Sequence, residues 1–178
     1  AIIGLGLVLV FSYNLQDFSV DDAYITFRHA KNLIEGNGFV FNPGDRLLST
    51  TSPLHGLVLA FLARLGLGEI PHLAIVVSAL SMLILGISTF YSLSKTNQAY
   101  AGLMSVLLLA AQYWLYVFYP LETIMTLALN MTAIALAINR KWILAGVIAG
   151  LAIVARADSV LLIPIIALYL LAVTKRSL

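Results

Sequence analysis

The chain of 178 residues is 61% hydrophobic and only 10% charged, with a formal net charge of +2. Soluble domains normally carry about 25% charged residues, so a water-facing surface over most of this chain is excluded and lipid is its natural solvent. Its ten basic residues are spread over many loops, the pattern of topology signals rather than of a nucleic-acid patch, and the lack of cysteine excludes disulfides and thiolate chemistry. In chain order, Ala1 to Leu15 is an apolar run without the charged leader and cleavage site of a signal peptide. It reads as part of a first spanning helix whose start precedes Ala1, as expected of a piece of a longer protein.

From Gln16 to Ser52 the character changes. Asp17, Asp21, Asp22, Arg28, Lys31, Glu35, Asp45 and Arg46 all fall here, and Asn37-Gly38 and Asn42-Pro43-Gly44 are turn signals. Ser19 to Glu35 reads as a helix capped by Ser19, with Asp21 and Asp22 in the first turn where carboxylates suit the helix dipole, and ended by Gly36 and Gly38. Ala23, Phe27, Ala30 and Ile34 form an apolar stripe at spacings of four, three and four. Asp21, Tyr24, Arg28 and Lys31 line an adjacent side. The pattern predicts a helix lying flat at a membrane surface with its apolar side in lipid.

Beyond Ser52 the chain is apolar, in runs at Pro53 to Leu67, Leu73 to Ser94, Ala99 to Tyr119, Leu121 to Ile138, Trp142 to Ala155 and Ser159 to Val173. A crossing needs about 20 helical residues. Leu73 to Ser94 meets that, whereas Pro53 to Leu67 and Trp142 to Ala155 are short enough to be tilted, re-entrant or partly inserted. The fold expected is an all-α integral membrane bundle of about seven apolar helices, with an amphipathic juxtamembrane helix in its first external loop, residues 17–52. Lys95, Arg140-Lys141 and Lys175-Arg176 can share one face, the cytoplasmic one by the positive-inside rule. Glu122, the pair Arg156/Asp158 and the polar loop then face outward, provided Pro53 to Leu67 does not fully cross. The acceptor pattern Asn130-Met131-Thr132 lies inside an apolar run and is expected to be inert.

On pattern alone, the polar helix is an interfacial helix with solvated charges. A sharper reading follows from its chemistry. A carboxylate near an apolar surface can act as general base on a hydroxyl. Arg28 and Lys31 can stabilise a phosphate leaving group, or the acids can hold a divalent metal that does so. Arg156 and Asp158, between two apolar runs, divide evenly between a structural ion pair and a functional one. Glu122 is either functional or a dipole-favoured carboxylate at a helix start. His29, His55 and His72 show no metal-ligand spacing and read as core or solvated side chains.

The residues Asp21-Asp22-Ala23-Tyr24-Ile25-Thr26-Phe27-Arg28-His29-Ala30-Lys31-Asn32, then Glu35-Gly36-Asn37-Gly38, Phe41-Asn42-Pro43-Gly44 and Thr51-Ser52-Pro53-Leu54, resemble the first external loop of GT-C glycosyltransferases. These are polytopic enzymes that take sugars from polyprenyl-phosphate donors, and the resemblance is nearest to the branch of the mycobacterial terminal arabinofuranosyltransferases. Leu121-Glu122-Thr123 resembles a later Gly-Leu-Glu-Thr element, and Arg156-Ala157-Asp158 an Arg-Pro-Asp element at a helix junction. The chain departs from the pattern at Pro120 (usually Gly), Ala157 (usually Pro) and His55 (usually an aromatic such as Trp).

The resemblance implies sugar transfer at the outer face of the cytoplasmic membrane, with Asp22, or alternatively Asp21, as the base. It also implies that the chain is the N-terminal, catalytic-loop part of a larger protein. Metal use is left open, since the family varies. Placing Arg28 and Lys31 beside the donor phosphate is inferred from charge, with Tyr24, Glu122, Arg156 and Asp158 as further substrate-binding candidates. The alternative is a non-catalytic subunit that packs helices in a larger membrane complex, for which Gly146 and Gly150 allow close contact. A transporter would want ionisable residues in mid-span, and Arg156/Asp158, the candidate pair, falls at an edge.

Overall fold

The computed structural model describes residues 21–44, 50–95, 97–112 and 118–175. Among these residues the chain is all-helical. Seven α-helices follow in order: α1 (Asp21–Ile34), α2 (Pro53–Arg64), α3 (Ile70–Lys95), α4 (Ala99–Ala111), α5 (Thr123–Ile138), α6 (Trp142–Ala155) and α7 (Leu162–Lys175). A 3-10 turn, Ala157–Leu161, joins α6 to α7. The expected first apolar run, Ala1 to Leu15, and the Ser19 cap lie outside the described residues.

Local sequence accounts for the helix ends. α1 begins with Asp21 and Asp22 and carries Lys31 in its last turn, both favourable to the dipole. It closes on Gly36 at φ 83°, where the Gly36 and Asn37 amides return to the Leu33 and Asn32 carbonyls. α2 opens with Pro53, whose missing N–H is no loss at a first helical position. α5 ends in the same two-bond cap as α1, but with Arg140 in the left-handed region at φ 57°.

Only α3, among the described residues, is long and apolar enough to cross a membrane. Its 26 residues span about 39 Å. α2, with 12 residues, reaches about 18 Å. The run expected from Ala99 to Tyr119 is shorter as a helix: α4 stops at Ala111, where Gln112 turns extended. The run expected from Ser159 divides into the 3-10 turn and α7.

Small side chains are prominent in the seams between helices, and many large apolar ones face out. α3 turns Ser78, Ser81, Ser88 and Ser92 inward, α5 turns in Ala128, Ala133, Ala135 and Ala137, and α6 turns in Ala145, Ala149, Ala152 and Ala155. Outside lie Ile84, Ile87 and Phe90 of α3, Ile143, Val147 and Val154 of α6, and Ile163, Ile165 and Leu168 of α7. Hydroxyls bond across and along the α3–α5 seam. Ser88 meets Thr132 at 3.0 Å, Ser78 donates to the Tyr119 carbonyl, and Ser92 donates to the Ser88 carbonyl.

α1 does not present its apolar stripe to lipid, which corrects the expectation from its periodicity. Ala23, Phe27 and Ala30 are buried in one cluster with Leu59 and Ala60 of α2, Leu73, Ala74 and Val77 of α3, Met125 of α5 and Ala155 of α6. Burial against the chain itself competes with burial in lipid, and alanines at 23 and 30 let α1 approach closely enough for the first to win.

The cluster also sorts the polar ends. α1, the start of α3, the start of α5 and the end of α6 meet at one end of the bundle. At the other, Tyr91 of α3 donates to Asn139 at the end of α5, Lys95 lies over the Tyr91 ring, and a small cavity reaches Lys141. Lys95, Arg140 and Lys141 therefore lie at the end opposite α1, Glu122 and Arg156.

Replacing Arg140 by glycine removes the strain of a β-carbon in the left-handed region, which costs about 1 kcal/mol. Arg140→Gly is expected to raise the thermal midpoint of the purified protein, and to raise it more than Asn97→Gly does, because asparagine tolerates φ 60° better. Thermal unfolding of both variants measures the difference.

Candidate functional site

Asp21 and Asp22 stand exposed in the first turn of α1. Neither carboxylate makes a hydrogen bond or ion pair with any described residue. Because the opposite face of α1 is locked into the core, the two acids sit on a rigid mount at the rim of the bundle. Asp21 continues, at spacings of three, four, three and four, into Tyr24, Arg28, Lys31 and Glu35. Asp22 sits one step round the helix, beside the stripe that holds Thr26 and His29.

Arg28 is tied to the loop that follows α1. Its Nε donates to the Phe41 carbonyl at 2.8 Å, one terminal nitrogen donates to Asn42 Oδ1 at 3.1 Å, and the guanidinium lies 4.6 Å from the Phe41 ring centre. Asn32 reinforces the hold by donating to the Val40 and Phe41 carbonyls at 2.8 and 2.9 Å. Phe39 then packs on Gly56 of α2, where an added β-carbon would come within 2.8 Å of the ring. The loop is thus strapped across α1 and α2. Asn32 was no candidate from sequence, yet an asparagine inside a helix, whose amide competes with the backbone, was the available signal.

Lys31 pairs with Glu35 at 3.8 Å on the exposed side. Tyr24, Arg28, Lys31 and Glu35 form one wall of a groove of about 870 Å³, closed by Pro43 and by Ala63 and Gly68 to Pro71 at the α2–α3 turn. Glu69 of that turn, absent from the sequence candidates, faces the same groove.

Glu122, Arg156 and Asp158 come together elsewhere on the same end. Arg156 breaks α6 with an extended backbone and donates to the buried Glu122 at 3.1 Å and to the exposed Asp158 at 3.2 Å. The 34-residue separation of Arg156 and Glu122 hid this pairing from the sequence. Ala155 and Leu121, the residues preceding Arg156 and Glu122, pack in or against the core under α1. Asn130, in the glycosylation-like pattern, donates to Ser159 at 3.1 Å within the bundle.

His29 and His55 are fully buried, and His72 is exposed. His29 donates through Nδ1 to the Ile25 carbonyl at 2.7 Å and packs against Phe39 and Phe41. His55 lies on α2, too short to span a bilayer, and neither ring nitrogen has a partner among the described residues. Burial lowers its pKa to about 4, so the ring stays neutral and fills the space of an apolar aromatic. Among the described residues no three His, Asp or Glu side chains gather as a metal cage.

Compared with protein-family models, curated proteins and solved structures, the chain finds no match.

The two halves of the Arg156 bridge differ in exposure, which ranks them. Glu122→Gln leaves the guanidinium facing a buried neutral amide and is expected to cost about 1–3 kcal/mol. Asp158→Asn, at a carboxylate 62% exposed, is expected to cost less than about 1 kcal/mol. Equal losses in denaturant unfolding would contradict this ranking.

Proposed function

We propose that the chain is a membrane glycosyltransferase, or the N-terminal part of one, that moves a sugar from a polyprenyl-phosphate donor to an acceptor hydroxyl at the outer face of the cytoplasmic membrane. The observation that carries the reading is the pair Asp21 and Asp22, uncommitted and exposed on a helix fixed to the bundle. One of them takes the proton of the acceptor hydroxyl. The acceptor oxygen bonds to the anomeric carbon, the bond from that carbon to the phosphate oxygen breaks, and polyprenyl phosphate leaves. The resemblance of the α1 segment to the GT-C loop supplies the donor class.

The membrane setting is supported by the many large apolar side chains that face out while serines and alanines line the seams. In lipid no hydrophobic force drives helices together, so small residues and hydroxyls hold the seams while large apolar side chains face the solvent. The ends of the bundle support the orientation, with Lys95, Arg140 and Lys141 cytoplasmic and α1 outside. Crossings by helices of 13 to 16 residues call for tilt or local thinning of the bilayer.

A second reading has its own observation. Gly146 and Gly150 lie exposed on α6 with no atom near their missing β-carbons, a face open to another helix. Co-purification with further subunits, together with no turnover, would favour a non-catalytic subunit.

Two measurements test the proposal. Because the chain has no cysteine, single cysteines at Asn42 and Lys141 can be labelled in intact cells with an impermeant thiol reagent. Asn42 is expected to label and Lys141 to stay protected; the reverse pattern would rule out an outward-facing site. In reconstituted membranes given a radiolabelled polyprenyl-phosphate sugar, Asp22→Asn is expected to lower transfer by about 100-fold or more, with insertion unchanged. Loss in Asp21→Asn alone moves the base to Asp21, and full transfer by both variants would sink the mechanism.

A further inference from the structure

The end of the bundle opposite α1 carries positive charge that no carboxylate among the described residues neutralises. Lys95, Arg140 and Lys141 lie there. Beyond Glu69 the chain has two acids, Glu122 and Asp158, and Arg156 holds both of them at the α1 end. α6 begins at Trp142, so its dipole adds to the same positive potential.

A cavity of about 240 Å³ opens between α3 and α5 at this end, running from Lys141 at its mouth past Tyr91 and Ala135 to Ile87 and Thr132. Asn139 and Thr132 are about 10 Å apart along α5. The polar groups on its walls are spent on one another. Ser88 bonds to Thr132 at 3.0 Å, the Tyr91 hydroxyl donates to Asn139 Oδ1 at 2.9 Å, and the Asn139 amide donates to the Ala135 carbonyl at 2.7 Å. What remains for a ligand is apolar wall, with the Lys141 ammonium at the mouth and Lys95 5.6 Å from the centre of the Tyr91 ring. The Lys141 ammonium has no partner among the described residues.

An apolar slot with cations at its rim matches a ligand with an apolar chain and an anionic head. The slot is smaller than the roughly 300–1,000 Å³ of sites that enclose a whole small molecule, so it takes one chain and leaves the head outside. Ile87, 69% exposed, puts the slot on the outer surface of the bundle, where lipid reaches it. Basic pockets between spanning helices on the cytoplasmic side suit acidic head groups.

We propose that the α3–α5 cleft holds one acyl chain of an anionic phospholipid of the cytoplasmic leaflet, with the lipid phosphate on Lys141 between Lys95 and Arg140. The proposal rests on the membrane setting inferred above and is independent of sugar transfer.

The test is photo-crosslinking of the whole protein in nanodiscs of mixed phosphatidylcholine and phosphatidylglycerol. Either lipid, bearing a diazirine in the upper part of one acyl chain, is added at the same trace fraction. The phosphatidylglycerol probe is expected to label peptides covering residues 87–91 and 132–141 at least threefold more than the phosphatidylcholine probe. Lys141→Gln is expected to cut that labelling about fivefold, the effect of one basic residue near an anionic surface. Lys175→Gln, at the end of α7, is expected to leave it unchanged. Equal labelling by the two probes, or labelling indifferent to Lys141→Gln, would overturn the site and leave the membrane setting standing. Equal losses in Lys141→Gln and Lys175→Gln would also overturn it, because a diffuse layer of acidic lipid answers to every cation at that end. Labelling by neither probe anywhere on the chain would overturn the membrane setting, and the site with it.

Discussion

Close approach at small side chains is the constraint on which the rest of this structure depends. Ala23, Ala30, Ala74 and Ala155 are fully buried where α1, α3 and α6 converge, and the α3–α5–α6 seams are rich in serine and alanine beside Met82, Leu85 and Ile124. With so little side chain in the way, the helix backbones come near enough for hydroxyls to bond across them. Overpacking such a site costs about 1–3 kcal/mol, so these positions set the spacing of the bundle. Many large apolar residues turn out, while Leu59, Tyr119 and Ile124 fill the space that the small ones leave.

That arrangement decides what happens to polar groups at the two ends. At the α1 end, charges either close on one another or stand at the rim. Arg156 reaches both Glu122 and Asp158, Lys31 reaches Glu35, and Arg28 holds the loop. The acids left without partners among the described residues are Asp21, Asp22 and Glu69. Uncommitted carboxylates on a rigid mount are where proton transfer is cheapest to arrange, because no existing pair must break first.

Much of the architecture was legible in the apolar runs. Trp142 to Ala155 matches α6 residue for residue, and Leu73 to Ser94 lies within α3. The glycine at 36 marked the C-terminal end of α1 by local chemistry alone. Periodicity also found the stripe of Ala23, Phe27 and Ala30. It could not say what covers that stripe, because lipid and a neighbouring helix present the same apolar contact. The same limit hid the Arg156–Glu122 bridge and the ties from Arg28 to Phe41 and Asn42, which depend on partners 34, 13 and 14 residues away. His55 was illegible for another reason. A lone histidine in an apolar run has no pattern, and only its complete burial reveals that it serves as a neutral ring.

Arg28 shows why the site reads differently once its geometry is known. As a charge in the sequence it belongs beside a phosphate; in the fold its guanidinium is the clasp that holds Phe41 and Asn42 against α1. The clasp uses two of its five N–H donors, so the side chain holds the loop and keeps three donors for another partner. With the clasp closed, the α1 stripe offers its acids and the Tyr24 ring beside that cation. The loop strap and the character of the groove are therefore one property, set by where the carbonyl of Phe41 falls relative to a single turn of α1.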